Sequence, residues 1–307
     1  MGTVAPKNVT FLSRNLKIAA HLYLPATGSS NRSGAAVIIC HPWTSIKEQS
    51  PANYAHVLSR AGFLCLTYDA AYQGESEGEP RSLEDPAQRV EDIKSAVTYL
   101  TSLKEVNPNA IGVLGICASG GYAPYATQSD LRIKACATVA AVCVGTMARR
   151  GLDKDSSNMD ILKTQLEAAA KDRASDVTGE KVPIVHLLPE KPEDAPANFP
   201  ESFRDLMSYY RTPRAYHPRA TNTSLPRSWD LMANFDAFAF NDMISPRPLL
   251  MITGTKAASK WHSEEGVKKA KEPKELFVVE GLTHADLYDK VDAAGAKLVD
   301  FFGKSLI

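Results

Sequence analysis

The sequence predicts an α/β protein built on a mostly parallel, doubly wound sheet that is broken once by a helical insertion. Three observations carry this. The short runs AAVIIC, FLCLTY and AIGVLGI are apolar at consecutive positions and rich in β-branched residues, so both faces of their strands must be covered. They alternate with stretches whose apolar residues recur three and four apart, and strand–helix alternation specifies parallel strands joined by crossovers. The alternation lapses between residues 146 and 241, then resumes with PLLMIT and ELFVVE.

Each element has its own signal. NVTFLS and LKIAAHLYLP alternate as a leading hairpin, followed by the polar loop ATGSSNRSG. After the strand AAVIIC, SPANYAHVLSRAG reads as a helix capped by Ser50, with Pro51 first inside and Gly62 as the stop. FLCLTY is the next strand. A helix beginning near Asp85–Pro86 then places Val90, Ile93, Val97, Leu100 and Leu103 on one face. AIGVLGI is a strand, the segment after Cys117 a helix, and IKACATVAAVCV another strand. In the insertion only VPIVHLL resembles a β run. MDILKTQLEAAAKDR and PESFRDLMSYYR are amphipathic helices separated by a proline-rich stretch. PLLMIT, a helix near SEEGVKKA, the buried strand ELFVVE and a helix ending in KLVDFF complete the sheet. The expected organisation is a core over 1–145, a helical lid over 146–241 and the rest of the core over 242–307. The lid then lies over the carboxyl ends of the strands, where open sheets keep their sites.

Composition narrows the function. The chain has 307 residues, 44% of them hydrophobic, enough for a large core. Its 35 basic and 35 acidic residues balance, so nothing draws it to nucleic acid or an anionic membrane. No 18-residue apolar run occurs, MGTVAPKNVTFLSR lacks the apolar core of a signal peptide, and Pro6 stands where a myristoylation signal at Gly2 needs Ser or Thr. The five cysteines include no CxxC and no zinc spacing. Cys40, Cys65, Cys136 and Cys143 lie in apolar runs and read as buried small hydrophobes. A reduced, cytoplasmic protein using neither metal nor cofactor is expected.

Cys117 stands apart in VLGICASGG. A strand that turns sharply into a helix holds its middle residue in a strained conformation, with the side chain exposed above the sheet. Gly115 and Ser119 supply the small flanks this requires, and Gly120 and Gly121 let the helix pack close. A helix N-terminus favours negative charge, and such placement can bring a thiol from about 8.5 to roughly 3.5–7.5, so a thiolate is expected at Cys117. A shifted register would expose Ser119 instead. His284, in ELFVVEGLTHADLYD, follows a strand and a glycine where a general base belongs. The oxyanion hole falls to the N–H of Ala118 and one from CHPWTSIKEQ, where Pro42 has none and Trp43 comes next, ahead of Thr44. Trp43 also suits a pocket floor. Aromatic residues crowd the insertion, and Tyr209, Tyr210 and Trp229, with Tyr72 from the loop after FLCLTY, are the candidate substrate contacts. The orienting acid is missing. GTKAASKWHSEE offers Ala257, Ala258 and Ser259 where a carboxylate belongs, leaving Ser259, Asp236 or Asp242 to hold the imidazole. A thiolate–imidazolium pair should tolerate that loss better than a serine triad would.

HPWTSIKEQ, YDAAYQGESEGEPR, GICASGGYA, YYRTPRAYHPRATN, PRPLLMITG and KELFVVEGLTHADLYDK together resemble the dienelactone-hydrolase-like branch of the α/β-hydrolases. More narrowly, they resemble its fungal polyketide transferases and thiohydrolases, over nearly the whole chain. The resemblance implies an α/β-hydrolase fold and acyl chemistry on a polyketide thioester, with Cys117 as nucleophile and His284 as base. The family's usual acid, commonly in an Ala-Asp-Thr run, is replaced here by Ala257-Ala258-Ser259. The expected activity is acyl transfer or thioester hydrolysis through an acyl-cysteine, the substrate presented by an acyl carrier domain of a polyketide synthase. The rival readings are a carboxylester or lactone hydrolase and a non-covalent scaffold that shapes a polyketide for cyclisation.

Overall fold

The hairpin opening the chain is β1 (Lys7–Ser13) with β2 (Leu16–Tyr23), antiparallel, Lys7 opposite Leu22. It belongs to a computed structural model that describes residues 5–153, 159–180 and 182–307, so Gly2 and the first residues of the stretch read for a leader lie outside it. β3 (Ala36–Cys40), α1 (Ser50–Arg60), β4 (Leu64–Tyr68), α2 (Pro86–Thr101), β5 (Ile111–Ile116), α3 (Ser119–Ser129) and β6 (Ile133–Val139) follow in strict alternation. Next come α4 (Val144–Arg150), α5 (Met159–Thr178), β7 (Val185–His186), α6 (Glu201–Tyr210), β8 (Thr223–Ser224) and α7 (Ser228–Met232). β9 (Leu249–Gly254), α8 (Lys260–Lys269), β10 (Lys274–Val279), α9 (Asp286–Asp289) and α10 (Asp292–Ser305) return the chain to the sheet.

One eight-stranded sheet results, in the order β1-β2-β4-β3-β5-β6-β9-β10. β2 runs antiparallel to β4, and every pairing from β4 through to β10 is parallel. Because strand side chains alternate, Ala36, Ile38 and Cys40 enter a core shared with α2 and α3. Val37 and Ile39 enter a second core with α1 and α10. Every residue of β3, β4 and β5 is buried, which is why their sequences carry no polar phase. α2 starts where its sequence says it should. Asp85 caps it by accepting from the N–H of Ala87 at 2.9 Å, a contact worth about 1 kcal/mol.

Four local expectations need correction. Gln49, not Ser50, is the cap residue of α1. The Gln49 carboxamide accepts from Ser45 Oγ at 2.8 Å and donates to the Ala215 carbonyl at 2.8 Å, so a tertiary tie rather than a local cap sets where the helix begins. The run IKACATVAAVCV is not one strand. It leaves the sheet after Val139, Ala140 takes a positive φ of 49°, and Cys143 becomes the cap of α4. There is no room for it to continue straight, because Gly120 and Gly121 already press α3 against Ala141 and Val142. VPIVHLL yields only the two exposed residues of β7, paired with β8. β10 is an edge strand, half-exposed rather than buried, since β9 is its one neighbour.

The helices between β6 and β9 are tied to one another and to the core. Arg227, just before α7, reaches Asp172 and Asp176 of α5 at 2.8 Å each. Arg214, after α6, reaches Asp289 of α9 at 2.6 Å. Among the described residues no helix is long and apolar enough to cross a membrane.

Candidate active site

Cys117 ends up where β5 turns into α3, with φ at +55°, a conformation that non-glycine residues rarely adopt. The turn is bought with small neighbours: a Cβ on Gly115 would sit 1.9 Å from the Ser119 carbonyl oxygen, and one on Gly120 would sit 2.6 Å from Ala141 Cα. The Cys117 N–H donates to Val139 at 3.0 Å, and its carbonyl accepts from Gly120 at 2.8 Å and Val142 at 2.9 Å, so the strained residue is over-determined by its backbone. Cys117 is partly exposed while the other four cysteines are buried. The shifted register is excluded, because Ser119 is buried and its Oγ donates to the His41 carbonyl at 2.6 Å.

That carbonyl has a second donor. Arg89 Nη2 reaches it at 2.6 Å, and Arg89 itself is buried beside Glu84, whose carboxylate also accepts from Tyr122 at 2.8 Å. This buried ionic group sits under the elbow and holds His41, and so the start of the Pro42–Trp43–Thr44 loop, against α3. Nothing in the hydrophobic patterning announced it. The one signal was Glu84 and Arg89, two charges flanking a helix start.

The Trp43 and Ala118 N–H groups both bear on the Cys117 sulfur and draw its pKa down. Two backbone donors thus converge on the elbow, as the sequence proposed for the oxyanion hole. The Trp43 ring also lines the cavity, edge-on to Trp229 with centroids 5.5 Å apart, the place a pocket floor requires.

The resting charge state differs from expectation. Burial pushes the Cys117 thiol up to about 11, outweighing the Tyr288 hydroxyl and the two N–H groups. Burial also pushes His284 down to about 4. The expected thiolate is therefore absent at neutral pH, because the helix N-terminus does not compensate for lost water. A neutral thiol and a neutral imidazole line the same cavity.

His284 is buried and held at both nitrogens. Ser259 Oγ lies 2.6 Å from Nδ1 and the Tyr288 hydroxyl 2.8 Å from Nε2. Ser259 thus occupies the orienting position. Asp236 is engaged with Lys269 at 3.1 Å and Asp242 with Lys271 at 3.6 Å. The His284 loop is braced from α6 by Asp205, which accepts from Thr283 Oγ1 at 2.8 Å and from the Ala285 N–H at 2.9 Å. Neither Asp205 nor Tyr288 was picked out from the sequence. Tyr288 had a readable signal, being four residues beyond His284 at a helical turn.

A cavity of about 470 Å³ opens over Cys117, within the range of small-molecule sites. Its floor is the carboxyl ends of the strands (Trp43, Cys117, Val142, His284), and its roof is apolar residues of α4 to α7 such as Met147, Ile161, Phe203 and Trp229. Tyr210 and Trp229 line it as expected. Tyr72 and Tyr209 do not. The Tyr72 ring lies against Gly78, and Tyr209 is buried behind the site, with its ring 5.0 Å from that of Tyr288. Among the described residues no three His, Cys, Asp or Glu side chains gather as metal ligands.

A family model described as X-Pro dipeptidyl-peptidase (S15 family) matches residues 15–195, more than half of the chain. The chain belongs to this family. As an S15-family chain it is 37% identical to the uncharacterized protein YcjY of Escherichia coli K12, over 97% of its own length and 98% of the relative's. The crystal structure of hypothetical protein PA2218 from Pseudomonas aeruginosa has a TM-score of 0.91 at 33% identity, covering 100% of this chain and 95% of that one. Polyketide transferase grgF of Penicillium sp. is 26% identical over 90% of both chains. Its crystal structure, of an alpha/beta hydrolase, has a TM-score of 0.82 at 24% identity and covers 98% of this chain and 99% of that one. The fold is the α/β-hydrolase fold, and the likeness to fungal polyketide transferases holds at modest identity, below that of the bacterial relatives. Hydrolase- or transferase-class activity follows from the family.

Proposed function

We propose that the protein transfers or hydrolyses the acyl group of a thioester through an acyl-Cys117 intermediate. The observation that carries this is a partly exposed cysteine held at positive φ on the floor of an apolar cavity, with His284 and two converging backbone N–H groups beside it. The likeness to a relative named polyketide transferase supports a polyketide-type acyl chain, and its presentation by a carrier domain is part of the proposal.

The steps balance without a cofactor. The Cys117 sulfur adds to the thioester carbonyl carbon, and its proton goes to His284. The carbonyl oxygen takes the negative charge against the Ala118 and Trp43 N–H groups. Collapse breaks the bond to the donor sulfur, which leaves with the proton from His284. Water or an alcohol then attacks the acyl-cysteine, gives its proton to His284, and releases Cys117 as a thiol once more. One sulfur ester replaces another in the first half, so that step is nearly balanced in free energy. The roof residues select chains by apolar burial, about 0.8 kcal/mol per methylene.

A non-covalent scaffold is the second reading, favoured by the neutral resting pair and by Ser259 in place of a carboxylate. Intact-mass measurement after mixing with medium-chain acyl thioesters separates the two. The wild type should gain one acyl mass and Cys117→Ala none. A protein that never gains mass, while Cys117→Ala keeps full function, would refute the acyl-cysteine.

A further inference from the structure

We propose that Tyr288 is a catalytic residue whose phenol hydroxyl carries the proton between the Cys117 thiol and His284. The inference rests on the acyl-cysteine reading and adds a step within it. The hydrogen-bond partner of His284 Nε2 is the Tyr288 hydroxyl, at 2.8 Å. The same hydroxyl bears on the Cys117 sulfur and draws its pKa down, and both residues line the cavity floor.

The arrangement has a direction. With the Nδ1 proton shared with Ser259 Oγ at 2.6 Å, Nε2 offers its lone pair and the phenol donates to it. The phenol oxygen then keeps a lone pair for the thiol proton. As sulfur attacks the carbonyl carbon, its proton passes to the Tyr288 oxygen while the proton already there passes to Nε2. Tyr288 ends neutral, His284 ends as imidazolium, and the departing sulfur recovers the proton along the same path. Both end groups are neutral at rest, so the proton has to move during attack. A relay through a hydroxyl already bonded to Nε2 and lining the same floor as the sulfur keeps the reacting groups in place.

The phenol is placed rigidly enough for this. α1 grips the backbone on either side, Tyr54 donating to the Leu287 carbonyl at 2.5 Å and Asn53 to the Tyr288 carbonyl at 3.0 Å. Tyr209 and Tyr210 of α6 pack edge-on against the ring, at 5.0 and 6.0 Å. The titratable groups facing the hydroxyl are Cys117, His284, Tyr209 and Tyr210.

The test is the single-turnover rate of acylation of Cys117 by an octanoyl N-acetylcysteamine thioester, read by intact mass in Tyr288→Phe and the wild type. A relay predicts acylation slower by about 100-fold, the lower end of the usual general acid–base contribution, with substrate affinity changed less than about twofold. In mixed light and heavy water the wild-type rate should depend on deuterium content as a two-proton transfer, and the variant as one. Wild-type acylation with Tyr288→Phe within about twofold of it overturns the relay alone, and a wild type that never acylates overturns the acyl-cysteine with it. Should Tyr288→Phe not fold, 3,5-difluorotyrosine incorporated at position 288 keeps the ring and hydroxyl while making the phenol more acidic. The relay then predicts a pH–rate profile displaced from the wild type's, and an unchanged profile overturns it.

Discussion

Cys117 and its four sister cysteines share a residue type and differ in what the backbone does to them. Four are buried, Cys143 with its sulfur accepting from Thr146 and Ala237, whereas a positive φ lifts the fifth into the cavity. Its reactivity is then governed by burial, which pushes the thiol up to about 11. Alkylation of the free protein by iodoacetamide, with Cys117 modification followed by mass, should therefore accelerate only as pH climbs toward about 11. A rate already level at neutral pH would mean a resting thiolate and would remove the reason for a base. A neutral pair also changes the weight of the missing carboxylate. In the proposed acyl transfer the imidazole becomes charged during attack, so what Ser259 provides at Nδ1 matters more than it would beside a standing thiolate.

At the scale of elements, the site is assembled by α6 and α1 acting on a four-residue helix that would not hold its place alone. Asp205 of α6 accepts two hydrogen bonds from the residues on either side of His284. Asp205→Asn keeps one acceptor oxygen but removes the charge, and its amide can only donate toward Thr283 Oγ1, whose hydroxyl must then turn away. Hydrogen bonds to charged groups contribute about 1.5–3 kcal/mol, so acylation should fall by roughly 10-fold or more. Amide hydrogen exchange at Ala285 should quicken while exchange in β5 stays unchanged. Exchange at Ala285 as slow as in the wild type would show that the loop is held by α1 alone. The elbow is supported in the same way by Arg89 and Ser119 on the His41 carbonyl. Oxyanion geometry thus depends on α2 and α3 keeping their spacing.

For the molecule as a whole, three buried histidines, His41, His262 and His284, share the response to acid, and burial holds His41 well below its ordinary value. Burial pushes His284 down to about 4 and His262 to about 3, against about 6.5 in an unfolded chain. The folded state refuses protons that the unfolded state accepts, so their contribution is complete above about pH 6.5 and lost as pH falls toward 4. For His284 the shift corresponds to something on the order of 3 kcal/mol. Asp92, pushed up to about 6 by burial, works the other way over part of that window, as do Asp69 and Glu84, which burial also pushes up, so the drop is smaller than the histidines alone would give. The melting temperature should drop between about pH 6.5 and 4. His262→Gln should flatten the drop, and an equally steep drop in that variant would place the acid sensitivity elsewhere.

The sheet was legible in the sequence because its signals are local. Strands buried on both faces leave continuous apolar runs, helices leave a 3.6-residue phase, and Asp85, Pro86 and Gly62 punctuate them at short range. The elbow was legible for the same reason, since a strained turn must be written as small residues around its centre. Charge state and partners were not legible, because they depend on residues that meet only after folding. The thiol that looked ionisable beside a helix start is neutral because burial pushes its pKa up by more than the nearby donors lower it. The histidine that lacked an acid is held by Ser259, 25 residues away, and Tyr288 stands at its other nitrogen. Chain patterning determined where the cysteine proposed as nucleophile stands, and tertiary packing, through desolvation and long-range hydrogen bonds, decided its charge state and which groups stand around it.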